Sequence, residues 1–125
     1  MSKWKEFEKS PNYYLVDLGR PAVFFIPARK LRKRIGRKTV TQELHDFLIR
    51  HFSAYTTSRT PSLGFWKGVS QTMREDTCVV YEVSFLGKHQ IPLLLNKLAE
   101  IARAIHEECI YLKAGQYTCL VYPSG

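Results

Sequence analysis

Two stretches of this chain repeat apolar residues at the spacing of a helix with one buried face, and strand-like runs surround both; that alternation limits the folds open to it. The first stripe is Val40, Leu44, Phe47, Leu48, His51, Phe52 and Tyr55. It opens on Thr39-Val40-Thr41-Gln42, a capping box in which the Thr39 hydroxyl and the Gln42 carboxamide satisfy exposed helix-start donors. The second is Ile91, Leu94, Leu95, Leu98, Ile101, Ala102 and Ile105, ending near Glu107. Pro92 falls in its first turn, where a missing N–H costs nothing. His51 sits on the first stripe and reads as a packed, hydrogen-bonded imidazole.

The strands follow from period-two patterning. Residues 22–26 (Ala-Val-Phe-Phe-Ile) are apolar on both alternating sets, as in a central strand. Residues 63–69 alternate with aromatics, 70–77 read as a polar hairpin loop, and 78–86 form the strongest strand. In that strand Val79, Tyr81, Val83 and Phe85 take one face, and Cys78, Val80, Glu82 and Ser84 the other. Residues 109–113 and 117–122 make a final hairpin. Residues 13–17 are a short strand candidate, 56–61 a polar connection, and the first dozen residues an arm that docks through Trp4 and Phe7. The order is β-α-β-β-α-β with an extra C-terminal strand, a ferredoxin-like α+β antiparallel sheet with two helices on one face. The other face is left open, to be covered by a second copy or used for binding.

A length of 125 residues with 45% hydrophobic and 24% charged content fits one domain, residues 1–125, with an arm at 1–12 and an α+β core at 22–122. It excludes disordered and fibrous chains. No run is apolar enough to span a membrane, and no apolar segment follows Met1, so a cytoplasmic location is expected. Cys78, Cys109 and Cys119 lie in apolar runs without a C-x-x-C pair and read as buried thiols in a reducing compartment. His45 and His51 point about 120° apart on one helix, and His106 and Cys109 have no second pair of ligands. Neither a metal site nor a cofactor is expected.

Charge is the most local feature of the sequence. Arg29, Lys30, Arg32, Lys33, Arg34, Arg37 and Lys38 fall in ten residues without an acid, and setting them aside leaves 12 basic against 11 acidic residues. Seven clustered cations repel one another unless an anion offsets them. The segment therefore reads as a phosphate-binding loop for non-specific nucleic-acid contact, with the start of the following helix as a further anion site. A solvated charged loop is the plain alternative.

The open sheet face supplies the second candidate. Trp66, Cys78, Val80 and Glu82 project there with Tyr111 beside them. Trp66, Arg74, Tyr81, Glu82 and Tyr111 are the residues of an alternative ligand pocket near Trp66 and Glu82, where Glu82 is a charge set among apolar neighbours. The Lys/Arg-Gly-aromatic-Gly/Ala-Phe run by which RNA-recognition motifs stack bases is not present; residues 79–87 read Val-Val-Tyr-Glu-Val-Ser-Phe-Leu-Gly. No nucleophile elbow, P-loop or dinucleotide fingerprint occurs, so no catalytic residue is assigned.

Asp46-Phe47-Leu48, Gly64-Phe65-Trp66, the run from Tyr81 to Gly87 and the run from Glu108 to Leu112 resemble small bacterial proteins met on mobile elements and in integron gene cassettes. That resemblance implies an α+β fold and a bacterial cytoplasmic origin, and it transfers no catalytic residue. Three functions are expected in order. The first is a non-enzymatic, homodimeric nucleic-acid binder. The second is a small-molecule binder or enzyme at Trp66 and Glu82, and the third a protein-interaction module.

Overall fold

The computed structural model describes residues 4–7, 10–52, 54–58, 62–67, 73–115 and 117–124; at 62–67, 73–77 and 118 the description is of the backbone alone. Strand β1 (Arg20–Pro27) is the axis of the sheet. It pairs antiparallel with β6 (Met73–Phe85) on one side and β7 (Ile110–Ala114) on the other. Outside β6 lies β4 (Ala54–Thr57), and outside β7 lies β8 (Tyr117–Val121), giving the order β4-β6-β1-β7-β8. Strand β5 (Ser62–Lys67) pairs with the first half of β6. This is the ferredoxin-like antiparallel order with two added strands, β8 outside β7 and a second partner on β6. Among the described residues, no helix is long and apolar enough to cross a membrane.

Alternation divides the sheet into two faces. Ala22, Phe24 and Ile26 of β1 are fully buried, as are Val83 of β6 and, nearly so, Tyr81, Ile110 and Leu112. Phe24 lies opposite Tyr81 in the ladder, and their rings stack with centroids 5.1 Å apart and planes 3° from parallel. Helices α1 (Val40–His51) and α2 (Gln90–Ala104) cover this face through Val40, Leu44, Leu48, Leu94, Leu98, Ile101 and Ala102. Each of the buried valine, leucine and isoleucine side chains stabilises the fold by about 1.5–3 kcal/mol. The helices are tied to each other as well. Lys97 of α2 is buried against Glu43 of α1 at 2.6 Å, and Gln90 accepts from the Leu86 N–H while donating to the His51 carbonyl.

The start of α1 and the end of α2 have local causes. The capping box at Thr39 and Gln42 forms as the sequence predicts. Helix α2 ends in a Schellman motif: the Glu107 N–H donates to the Ala102 carbonyl and the His106 N–H to that of Arg103. His106 takes the left-handed conformation (φ 59°) where glycine is usual.

Several expectations are corrected. The first helix stops at His51, because Phe52 is extended (φ −127°, ψ 154°), and Tyr55 belongs to β4 rather than to the helical stripe. The connection expected at 56–61 thus begins as an edge strand, and β6 reaches back to Met73 into the expected loop. The His51 ring packs against Phe47, 4.9 Å between centroids. Cys119 is exposed, unlike Cys78 and Cys109. Residues 13–17 join no ladder among the described residues. Around a 3-10 turn at Lys5–Phe7, Trp4 and Phe7 are each 51% exposed.

The arm is anchored where it enters β1. Gly19 sits at φ +91°, its N–H donates to Asp17 at 2.9 Å, and a Cβ there would lie 2.0 Å from the Phe85 carbonyl oxygen. Gly19→Ala is expected to lower unfolding stability by about 1–3 kcal/mol. Denaturant unfolding checks this, and an unchanged midpoint would contradict the close approach.

Candidate functional site

The basic stretch is a folded element. After β1, a 3-10 turn at Ala28–Lys30 leads into a hairpin of β2 (Arg34–Ile35) and β3 (Lys38–Thr39), whose two-residue loop places Gly36 at φ +67°. Its seven cations have different surroundings. Lys30 turns inward, donating at 2.5 Å to the Ile105 carbonyl at the end of α2 and pairing with the buried Glu107 carboxylate at 3.3 Å. Removing either partner of such a buried pair costs about 3–5 kcal/mol, so Lys30 is a structural clamp. Arg29 lies 3.8 Å from the same carboxylate, and Lys38 pairs with Asp46 at 2.5 Å. Arg34 donates to the Arg37 carbonyl at 2.8 Å. Arg32, Lys33, Arg34 and Arg37 are exposed, with no acid at ion-pair distance among the described residues.

The helix start next to the hairpin is not an anion site. Its first three N–H groups are taken: Val40 donates to the Lys33 carbonyl (2.8 Å), Thr41 to that of Leu31 (3.3 Å) and Gln42 to the Thr39 hydroxyl (3.2 Å). These bonds fix the hairpin on α1 instead.

Between hairpin, α1 and β4 opens a cleft of about 630 Å³, within the size range of small-molecule sites. Arg37 and Lys38 come from the hairpin. Thr41 and His45, and likewise Gln42 and Asp46, stand four apart on α1 and so share its polar face. The opposite wall is Tyr55 and Thr57 of β4, with Tyr81 of β6 beneath. The Tyr55 ring stacks toward Tyr81 (6.2 Å between centroids) and meets the His45 ring edge-on, with His45 Nδ1 2.6 Å from the Tyr55 hydroxyl. The cleft thus combines a cation, a carboxylate, an imidazole–phenol pair and aromatic surface.

The set expected around Trp66 and Glu82 is split by the pleat. Tyr81 faces the helices, whereas Glu82 and Tyr111 are exposed on the open face, where Phe25 and Tyr111 meet edge to face at 5.3 Å. Trp66 and Arg74 are backbone partners across β5 and β6, and their side chains lie outside the described residues. Six cleft residues, Thr41, Gln42, His45, Asp46, Tyr55 and Thr57, were not assigned to a binding site from the sequence. The available signal was the pair of i, i+4 polar couples directly after the basic run.

No protein-family model matches the chain, and no curated protein sequence does. Among solved structures it is similar to a phage SAM lyase in complex with S-methyl-5′-thioadenosine, at 13% identity and a TM-score of 0.59, covering 90% of this chain and 96% of that one. A phage SAM lyase in its apo state matches at 14% identity and a TM-score of 0.50, over 86% and 91% of the two chains. At this identity the likeness shows a shared α+β fold.

The Lys38–Asp46 pair closes one end of the cleft and has a defined pH window. The hydrogen bond from Lys38 holds the Asp46 carboxyl below its ordinary value near 3.8, and the same bond holds Lys38 above its ordinary value near 10.5. The Asp46 contribution is present above its unfolded pKa and lost as pH falls through the folded one. That of Lys38 is present below its unfolded pKa and lost as pH rises through the folded one. The pair therefore stays closed across neutral pH. The Asp46 carboxyl carbon, followed by NMR, should titrate below the ordinary value and move up in Lys38→Met; identical titrations would remove the pair from the account.

Proposed function

We propose that this chain is a small-molecule-binding protein whose ligand occupies the cleft between Arg37 and Tyr81, and that the ligand is an adenosine thioether or sulfonium of the S-adenosylmethionine class. The observation that carries this is the cleft itself: it is nucleoside-sized, polar at its rim and aromatic at its base. The SAM lyase fold, solved with S-methyl-5′-thioadenosine, supports the choice of ligand class. Tyr55, backed by the buried Tyr81, offers apolar surface to an adenine ring, Asp46 and Thr57 accept from ribose hydroxyls, and the Arg37 guanidinium receives the carboxylate of a methionyl group. Tyr81, expected in a different pocket, serves this one because it lies on the helix face.

Isothermal titration with S-methyl-5′-thioadenosine and S-adenosylmethionine tests the reading. Arg37→Ala should weaken S-adenosylmethionine at least about tenfold, since a charge-assisted bond is lost, while affecting the uncharged thioadenosine little. Equal affinity of wild type and variant for S-adenosylmethionine would place the ligand elsewhere. Release of S-methyl-5′-thioadenosine from S-adenosylmethionine would mark a lyase; binding without release would mark a binding protein.

A second reading rests on the hairpin. We infer that Arg32, Lys33, Arg34 and Arg37, displayed on a backbone fixed to α1, contact phosphates of nucleic acid without sequence preference. Four contacts predict a loss of roughly 100-fold in affinity between about 50 and about 200 mM salt. Fluorescence anisotropy with labelled duplex DNA and RNA checks it, and no binding at low salt would reduce the hairpin to a wall of the cleft.

A further inference from the structure

Residues 13–18 lead into β1 in no helix or ladder among the described residues, yet apolar side chains occupy both of their alternating sets. Tyr14 and Val16 are 86% and 72% exposed on one, Tyr13 and Leu15 48% and 38% exposed on the other. A segment apolar on both alternating sets has the pattern of a strand covered on both sides. Exposed apolar clusters of this kind mark interaction surfaces.

The same molecule carries a matching acceptor. Strand β8 ends the sheet, so its outer backbone edge has no ladder partner among the described residues. Between β8 and α2 runs a groove of about 420 Å³ whose lining includes Leu95, Ala99, Cys119 and Val121. Cys119 and Val121 lie opposite Leu112 and Ile110, and so on the helix side of the sheet. A strand added outside β8 would lay alternate side chains over this groove, the geometry of β-strand addition.

The arm cannot fill its own acceptor. Gly19 lies against the Phe85 carbonyl, on the β6 side of β1. A strand outside β8 is three interstrand steps from β1, which Gly19 directly precedes, roughly 14 Å. Leu18 and Gly19 together span about 7 Å. A second copy meets no such limit. Charge permits it too: the basic hairpin follows the opposite end of β1, and without residues 29–38 the chain carries 12 basic and 11 acidic residues.

We propose that residues 13–17 of one copy add as a strand to the β8 edge of another, with Tyr14 and Val16 seated in the α2–β8 groove and Tyr13 and Leu15 beside Leu120 on the open face. Five arm residues match the five of β8.

Sedimentation velocity of the full chain from about 10 to about 200 µM provides the test, because association follows mass action. The wild type should sediment as a multimer and Val16→Pro, which removes a ladder donor outside the core, as a monomer with unchanged circular dichroism. Val16→Cys should form a disulfide-linked dimer with the exposed Cys119 under mild oxidation, and Val16→Cys combined with Cys119→Ser should not. A monomeric wild type over the whole range overturns the proposal. So does a multimer that survives Val16→Pro and gives no Cys119-dependent cross-link.

Discussion

The pairing of β1 with β6 sets the position of everything functional in this protein. With Phe24 opposite Tyr81 and the two rings stacked, one alternating set of each strand is committed to the helices and the other to the open face. A slip of one residue would exchange them. That register sends Tyr81 to the base of the cleft and Glu82 away from it. It also fixes where β1 begins and ends: the apolar arm enters at one end and the basic hairpin leaves at the other.

The hairpin shows how a charge run acquires distinct roles once it folds. Lys30 closes the end of α2 with Glu107, where a cation also meets the negative end of the helix dipole. Lys38 and Asp46 close the cleft rim. The exposed arginines and Lys33 remain as the positive face of the hairpin. A run of seven like charges thus supplies a clamp, an ion pair at the cleft rim and an electrostatic surface, and only the last depends on the charges staying together.

Much of the scaffold was legible in the sequence, because both helices have one apolar stripe and the long strands alternate. The capping box at Thr39, the stripe from Leu94 to Ile105 and the final hairpin follow from local rules that tertiary contacts reinforce. Tyr55 was misread because it continues the helical spacing by one turn, while Phe52 breaks the backbone with no glycine or proline to announce it. Strand β4 has four residues, too few and too polar to show alternation. The inward turn of Lys30 was invisible, since its partners, Ile105 and Glu107, are more than seventy residues away. Gly36 was the missed sign that the basic run is a hairpin. The cleft escaped notice because its walls come from four separate segments, and only the His45 and Asp46 couples on α1 hinted at it.

The central claim is that the polar cleft at Arg37, His45, Asp46, Tyr55 and Tyr81 is the ligand site. Amide chemical-shift mapping with S-methyl-5′-thioadenosine tests it most directly. The account predicts saturable shifts confined to β3, the first half of α1, β4 and the Tyr81 region of β6. Shifts centred on Phe25, Glu82 and Tyr111 across the open face, or none at saturating ligand, would contradict it.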